Sequence, residues 1–136
     1  MAETNISKTH TGISAEFFAA AELARRNFNV TVTFGNTKAI DILAEKDDKL
    51  FTIQVKGIQR IKSICWNLSR DKVNENYFYI FVNLNSDTFA PPEYFILRGS
   101  EVMPILKKVE SGRDYIDYNL LKRNTDSENR WDKFSI

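Results

Sequence analysis

Apolar residues recur at helical spacing near the start of the chain and then at strand spacing. Between Ile13 and Ala24 they return every three or four residues, among alanines of high helix propensity. This pattern predicts a helix over Ile13–Asn27, with Thr11 or Gly12 as its N-cap. The following segment, 29–35, alternates apolar residues with threonine, which is typical of a strand.

Four further segments have the apolar runs or the alternation of strands. These segments are 39–45, 50–56, 77–84 and 94–99. Segment 77–84 is the most apolar, and we expect it to lie in the middle of a sheet. The two prolines that follow it indicate a loop. For the segment 57–69, the pattern leaves a short helix and a crossover connection equally open.

The last third of the chain is less regular. Ser100 is a candidate N-cap for a helix over Glu101–Glu110, in which Pro104 is tolerated only near the first turn. From about residue 123 the chain becomes a polar tail, and we expect Trp131 and Phe134 to dock a last short element.

The predicted order is a helix, three strands, an undecided connection, two strands and a helix. This order indicates an α/β or α+β domain with a mixed sheet of about five strands and helices packed on it. The chain has 136 residues, of which 43% are hydrophobic, enough for one domain with its own core. We therefore expect a single domain over residues 1–136.

Polar residues interrupt the two strands of the predicted hairpin on one side only. With "KDDK" as a four-residue loop, Leu43 faces Thr52 and Asp41 faces Gln54. Side chains alternate along a strand, so the apolar residues of both segments share one face, which we expect to be core. Asp41, Gln54 and Lys56 then share the opposite face, unless a bulge changes the local register.

This polar group has a chemical use. The Asp41 carboxylate, the Gln54 amide oxygen and the Val55 backbone carbonyl are hard oxygen ligands of the kind that Mg²⁺ or Mn²⁺ binds. Lys56 could orient or deprotonate a water that attacks phosphorus, or stabilise charge on the phosphate. The residue types are equally compatible with a structural Asp–Lys ion pair on a half-exposed face.

Several other kinds of site are excluded by composition. Cys65 is the only cysteine and His10 the only histidine, so neither an internal disulfide nor a Cys/His zinc site can form. A reducing cytoplasm is the simplest location, because there is no secretory signal and no apolar run of about 20 residues. No glycine-rich phosphate loop is present. Trp66 and the aromatic residues of 77–79 are typical of core rather than of base stacking.

The net charge is only +1, but cations are concentrated after the third strand. Asp71 is the only acid among the basic residues of this segment, which are Lys56, Arg60, Lys62, Arg70 and Lys72. The segment is either a solvated face or a surface that contacts nucleic-acid phosphates.

The spacing of these residues resembles a known pattern. Asp41, then twelve residues, then Gln54-Val55-Lys56 across a hairpin is similar to the motif of the PD-(D/E)XK nuclease superfamily, which includes restriction endonucleases and archaeal Holliday-junction resolvases. The resemblance implies a three-layer restriction-endonuclease-like fold with helices on both faces of the sheet, a Mg²⁺-dependent phosphodiesterase site and often a homodimer. Glu16 stands where the family commonly has a helical glutamate that binds the metal directly or through water. Gln59 could contact substrate or simply end the strand.

Two positions depart from the family's pattern. Gln54 replaces the second acid, and Ile40 replaces the proline before Asp41. Despite these departures, the resemblance implies a Mg²⁺-dependent endonuclease that acts on DNA. The alternative is a non-catalytic module of the same fold that binds nucleic acid or a protein. Duplex, junction, single-stranded and RNA substrates all stay open.

Overall fold

A computed structural model of the chain describes residues 7–33, 40–86, 88–110, 113–123 and 126–135. Its first element is the helix α1, Lys8–Ala24. The helix starts earlier than predicted because Ser7, and not Thr11 or Gly12, is the N-cap: the Ser7 hydroxyl accepts a hydrogen bond from the His10 amide. It also ends before the predicted Asn27, whose φ of 73° lies in the left-handed region.

Five strands form the main sheet, in the order β1-β2-β3-β5-β6. Their bounds are Asn29–Val32 for β1, Ile42–Lys46 for β2, Lys49–Ile58 for β3, Phe78–Asn83 for β5 and Glu93–Arg98 for β6. The sheet is mixed, because β3 and β5 are parallel while the other neighbours are antiparallel. As predicted, the most apolar strand, β5, has a neighbour on each side. The first predicted strand extends into residues 34–35 and the second begins at 39, and these positions lie outside the described residues.

The turn between β2 and β3 is tighter than predicted. Lys46 pairs with Lys49, so only Asp47 and Asp48 form the loop, and both have positive φ, at 53° and 63°. Two consecutive left-handed residues are typical of a type I′ hairpin turn, which matches the twist of the strands. The predicted register survives this correction, because Leu43 still pairs with Thr52.

The undecided segment after β3 is a crossover connection. Parallel strands cannot be joined by a tight turn, so after β3 the chain returns to the end of the sheet at which β3 begins before it enters β5. On the way it forms the short strand β4, Cys65–Asn67, and a 3₁₀ helix, Arg70–Lys72. Strand β4 pairs with β7, Tyr115–Asp117, in a separate two-stranded sheet.

The predicted helix over Glu101–Glu110 is wrong. The structure has only a single turn, α2 at Gly99–Val102, followed by a 3₁₀ helix at Met103–Ile105. Its N-cap is Arg98 rather than Ser100, and the Glu101 carboxylate accepts a hydrogen bond from the Arg98 amide at 2.7 Å. Pro104 has no N–H to continue an α-helical ladder, so the chain tightens there and then becomes extended.

Packed layers cover the two faces of the sheet. On the first face, α1 packs on the apolar side of the β2–β3 hairpin, as the alternation predicted. The C-terminal 3₁₀ helix, Trp131–Ser135, packs on the same face, and both predicted docking residues, Trp131 and Phe134, are buried.

On the second face lie the β4–β7 sheet, α2 and α3, Tyr118–Arg123. Trp66 and Tyr79 belong to this second core, as expected for aromatic residues that pack rather than stack on bases. Within the described part of the chain, no helix is long and apolar enough to cross a membrane.

Candidate active site

The helix α1 crosses β3 at a glycine, and this contact determines where Glu16 lies. A Cβ atom added to Gly57 would lie 2.6 Å from the Ala15 Cβ and 3.2 Å from the Thr11 carbonyl oxygen. Only glycine therefore allows the helix to approach the strand this closely. Glu16 follows Ala15 directly, so the crossing holds it beside the C-terminal half of β3.

Asp41 lies where the β2–β3 ladder ends. The last regular pair is Ile42 with Ile53, and the Asp41 amide donates to the Ile53 carbonyl at 3.0 Å. Asp41 and Ile42 thus both face Ile53, as in a β-bulge, and the simple pairing of Asp41 with Gln54 is not formed. Instead, the Asp41 Oδ2 atom accepts a hydrogen bond from the Val55 amide at 2.8 Å. The carboxylate therefore lies along the edge of β3, at the Val55 amide.

Gln54 and Lys56 share the other face of β3. They pair in register with Tyr79 and Phe81 of β5, which belong to the second core. The Gln54 Oε1 atom is buried and has no hydrogen-bond partner among the described residues. An unpartnered buried carbonyl typically costs about 1–3 kcal/mol, and a bound cation would satisfy it.

Electrostatics couple the three ionisable residues. Burial and the field of Asp41 raise the pKa of Glu16 to about 7. Burial also raises the pKa of Asp41, against the hydrogen bond from Val55 and the field of Lys56. The pKa of Lys56 is lowered by burial, opposed by Asp41 and assisted by the cations Lys72 and Arg113. Mutual perturbation of this kind is typical of functional sites and also of structural ion-pair networks.

The available donors suit a hard divalent cation. Among the described residues, no three His, Cys, Asp or Glu side chains converge, and Gln54 has an amide in place of a carboxylate. The oxygen donors near this edge of β3 are two carboxylates and an amide oxygen, groups that Mg²⁺ accepts while it keeps several waters. The Val55 carbonyl points to the same side of β3 as its amide, so it faces the edge that Asp41 occupies. The unpartnered Gln54 oxygen is the observation that fits a cation best.

A groove of about 440 Å³ leads to Lys56, and cations surround it. The basic residues that line it are Lys8, Lys56, Arg60 and Arg113. Sequence reasoning included Lys56 and Arg60 but missed Lys8 and Arg113. Those two residues lie far from the basic segment along the chain, and only the fold brings them beside it.

The other residues predicted to contact nucleic acid bind within the protein or are exposed at its surface. Arg70 donates to the Leu106 carbonyl at 3.2 Å and lies 3.6 Å from the Asp114 carboxylate, so it also holds the crossover segment in place. Gln59 donates to the Ser86 carbonyl at 3.0 Å, which is the strand-end role weighed above, although it also lines the groove. Lys62 and Lys72 are exposed.

The mixed five-stranded sheet, covered on both faces, is the restriction-endonuclease-like fold of the PD-(D/E)XK nucleases, which confirms the predicted fold. One solved structure that shares it is the bacterial homing endonuclease I-Ssp6803I, with a TM-score of 0.58 and 13% identity over 82% of this chain and 75% of the other. A second is Hjc, a Holliday junction resolvase from the archaeal hyperthermophile Archaeoglobus fulgidus, with a TM-score of 0.55 and 19% identity over 82% of this chain and 87% of the other. No protein-family model and no curated protein matches the sequence. Identities this low establish the fold alone.

Proposed function

We propose that the protein is a Mg²⁺- or Mn²⁺-dependent endonuclease that hydrolyses phosphodiester bonds in DNA. The observation that best supports this proposal is the buried, unpartnered Oε1 atom of Gln54, the residue next to Val55, whose amide binds the Asp41 carboxylate. A structural polar cluster would be expected to satisfy that oxygen internally. The two solved structures that share this fold are a homing endonuclease and a Holliday junction resolvase, and their names point to the same class of reaction.

In this proposal four groups hold the cation: the Asp41 and Glu16 carboxylates, the Gln54 Oε1 atom and the Val55 carbonyl. The hydrogen bond from the Val55 amide fixes the Asp41 carboxylate through Oδ2, which leaves Oδ1 for the cation. When bound, the cation would polarise the scissile phosphate and acidify water.

Lys56 has the second role in the proposed reaction. Its lowered pKa brings it nearer to neutral pH, so it can exchange a proton with the attacking water more readily than an exposed lysine. In its charged form it would instead stabilise the negative charge that develops on the phosphate oxygens.

The basic groove is the proposed path of the nucleic acid. Lys8, Arg60 and Arg113 line it together with Lys56 and Val55, so a phosphate backbone that follows the groove would pass beside Lys56 and one proposed cation ligand. Lys62 and Lys72, both exposed, would extend the positive surface, and Gln59 would lie beside the strand. Arg70 is assigned a supporting role, since it also binds Leu106 and Asp114.

Incubation with DNA tests the proposal. Duplex and four-way-junction DNA should be cut in the presence of Mg²⁺ or Mn²⁺ and left intact with EDTA. The variants Asp41→Ala and Lys56→Ala should lose cutting while they keep the circular dichroism spectrum of the native chain. Cutting that survives both substitutions would rule out this assignment of the site.

The substitution of an acid by Gln54 favours a second candidate, a non-catalytic module that binds nucleic acid or a protein. In that case Asp41 and Lys56 would only stabilise each other in the fold. The two candidates differ in what the native chain does: a nuclease should cut DNA in Mg²⁺ or Mn²⁺, whereas a binding module should cut nothing in any metal.

A cytoplasmic location, as the composition predicts, and a homodimer, as the family resemblance implies, complete the proposal. Sedimentation equilibrium of the full chain would test the oligomeric state directly.

A further inference from the structure

We propose that a cavity between α1 and the loop that joins β5 to β6 binds one unpaired nucleobase, so that this chain prefers DNA with unpaired bases to fully paired duplex. The inference rests on the proposed path of nucleic acid along the basic groove, and it names the class of DNA that fits this path. It follows from a cavity and two aromatic rings that the proposed cleavage reaction does not use.

The cavity has a volume of about 180 Å³ and lies where α1 meets the chain that follows β5. Phe18, Leu84 and Pro92 supply apolar walls, and Ser14 and Gln59 supply polar groups. Pockets for drug-sized ligands usually have about 300–1,000 Å³, so this cavity suits a single small ring system. Apolar walls for the faces of a ring and a few hydrogen-bonding groups for its edge are what binds an extruded nucleobase.

Gln59 connects this cavity to the basic groove, because it lines both. Thr11 and Gly12 line the groove from α1, and Ser14 lines the cavity further along the same helix. A nucleic-acid strand that follows the groove past Gln59 therefore reaches the cavity. The Gln59 Nε2 atom donates to the Ser86 carbonyl at 3.0 Å, and this amide has a second N–H and a carbonyl oxygen that can bind the edge of a base.

A completely exposed aromatic ring, that of Phe89, stands at the rim of the cavity. Its chain neighbours Thr88 and Ala90 both line the cavity. Hydrogen bonds within the loop support this position: the Asn85 side chain donates to the Pro91 carbonyl, and the Ala90 amide donates to the Thr88 hydroxyl at 3.2 Å. The loop therefore presents the ring to solvent beside the cavity, where it can stack on a base.

Stacking on these rings requires a base with a free face. Phe18 lines the cavity and still has 44% of its surface exposed, so it offers such a contact inside, as Phe89 does at the rim. In a duplex, neighbouring bases cover both faces of each base and its partner occupies the pairing edge. An unpaired base loses less when it leaves the stack, and stacking on an aromatic side chain tolerates any base. The cavity therefore predicts a preference for DNA structure rather than for sequence.

Binding of two matched DNAs tests the inference without relying on catalysis. Fluorescence anisotropy in EDTA compares a fully paired duplex with the same duplex carrying a short bulge of unpaired thymines, with the full chain and at one salt concentration. The variants are Phe18→Ala and Phe89→Ala. Leu50→Ala is the control, since Leu50 is an exposed apolar residue at the far end of β3. Circular dichroism verifies that each variant is folded, and sedimentation velocity records its oligomeric state.

A photo-cross-link identifies the contact itself. One thymine of the bulge is replaced by 5-iodouracil, which on irradiation cross-links efficiently to aromatic side chains on which it stacks. Mass spectrometry of the digested complex then locates the modified residue.

We expect the native chain to bind the bulged DNA about tenfold more tightly than the paired duplex. Each phenylalanine variant should lose about fivefold or more of its affinity for the bulged DNA and less than about twofold for the paired DNA. The cross-link should lie at Phe18 or Phe89, and Leu50→Ala should bind both DNAs as the native chain does.

The failures are distinguishable. Equal affinity of the native chain for the two DNAs, or a cross-link at neither ring, would overturn the inference. Phenylalanine variants that keep the preference but change the oligomeric state would overturn it as well, because the rings would then belong to a protein interface. If paired DNA is still cut in Mg²⁺ or Mn²⁺, the nuclease proposal stands in all these cases. A preference for bulged DNA without cutting of either DNA would support the cavity and overturn the nuclease.

Discussion

Glu16 destabilises the folded chain when its carboxylate is charged. Burial and the neighbouring Asp41 both disfavour its charged form, and its pKa rises from the ordinary 4.5 to about 7. The folded chain therefore binds a proton more tightly than the unfolded chain does between these values. A carboxylate kept in such a place is expected where function requires it.

The raised pKa of Glu16 predicts that stability depends on pH and that the substitution Glu16→Gln removes this dependence. As pH rises from about 5 to about 8, ionisation of Glu16 should lower the free energy of unfolding by about 1 kcal/mol. This value is smaller than the full pKa shift would give, because the side chain is partly solvated. Glu16→Gln keeps the neutral shape, so it should be more stable than the native chain at the higher pH and equal to it at the lower. Urea unfolding in EDTA at both values measures this difference. Identical trends in the two proteins would contradict the electrostatic account.

At the scale of elements, the crossing of α1 over β3 is what assembles the site. The contact of Gly57 with Ala15 places Glu16 beside the edge that Asp41 occupies. Strand β3 and helix α1 carry different parts of the sequence motif. They can approach each other closely only because Gly57 has no side chain.

Gly57→Ala should therefore disturb both stability and the site. Its Cβ would collide with Ala15, and we expect a loss of about 1–3 kcal/mol in the free energy of unfolding together with weaker metal binding. Gly12→Ala is the matched control: it lies within α1, meets nothing within 4 Å, and should stabilise the chain by about 0.5–1 kcal/mol. Chemical denaturation measures both. Equal effects of the two substitutions would mean that the close crossing has no energetic importance.

The groove also belongs to this scale, because three separate segments supply its cations. Lys8→Ala and Arg113→Ala should each weaken DNA binding severalfold and reduce the slope of log affinity against log salt by about 1. Arg25→Ala, at the C-terminal end of α1, is the control and should leave both quantities unchanged. Fluorescence anisotropy at several salt concentrations would measure the slopes, and parallel slopes for all the variants would exclude the groove as the binding path.

Local signals in the sequence predicted much of the fold. The alternation in segments 39–45 and 50–56 predicted the hairpin register, and the apolar run at 77–84 predicted an interior strand; both are confirmed. The prediction of a helix over Glu101–Glu110 was wrong because Ser100 is not the N-cap and the missing N–H of Pro104 stops the α-helical ladder.

The candidate site was harder to predict from the sequence than the strands were. Alternation placed Asp41 opposite Gln54, but a bulge, which leaves no clear signal in composition, brings its carboxylate to the Val55 amide instead. Lys8 and Arg113 could not be assigned to the groove, because their proximity depends on how distant segments pack.

At the scale of the whole molecule, the end of the chain belongs to the core. Phe134 contacts the rings of Phe28, Phe51 and Phe78 at centroid distances of 4.5–5.7 Å, so the C-terminal 3₁₀ helix closes the face that α1 leaves open. The tail predicted from about residue 123 is polar in composition but ends in an aromatic anchor.

Phe134→Ala should consequently destabilise the chain by about 3 kcal/mol, through lost burial and a cavity among aromatic rings. Phe89→Ala removes the same side chain from a fully exposed loop position and should change stability by less than about 0.5 kcal/mol. Thermal or urea unfolding distinguishes them. If both variants unfold like the native chain, the C-terminal helix does not contribute to the core.

The central claim is that Glu16, Asp41 and Gln54 gather around one divalent cation. Anomalous diffraction from a crystal of the full chain grown with DNA and Mn²⁺ tests it most directly. We expect one manganese peak at coordination distance, about 2.0–2.3 Å, from the Asp41 Oδ1 atom, the Gln54 Oε1 atom and the Val55 carbonyl, with Glu16 bound directly or through a water. A manganese peak elsewhere, or an ordered DNA strand in the groove with no manganese beside Asp41 and Gln54, would contradict the account.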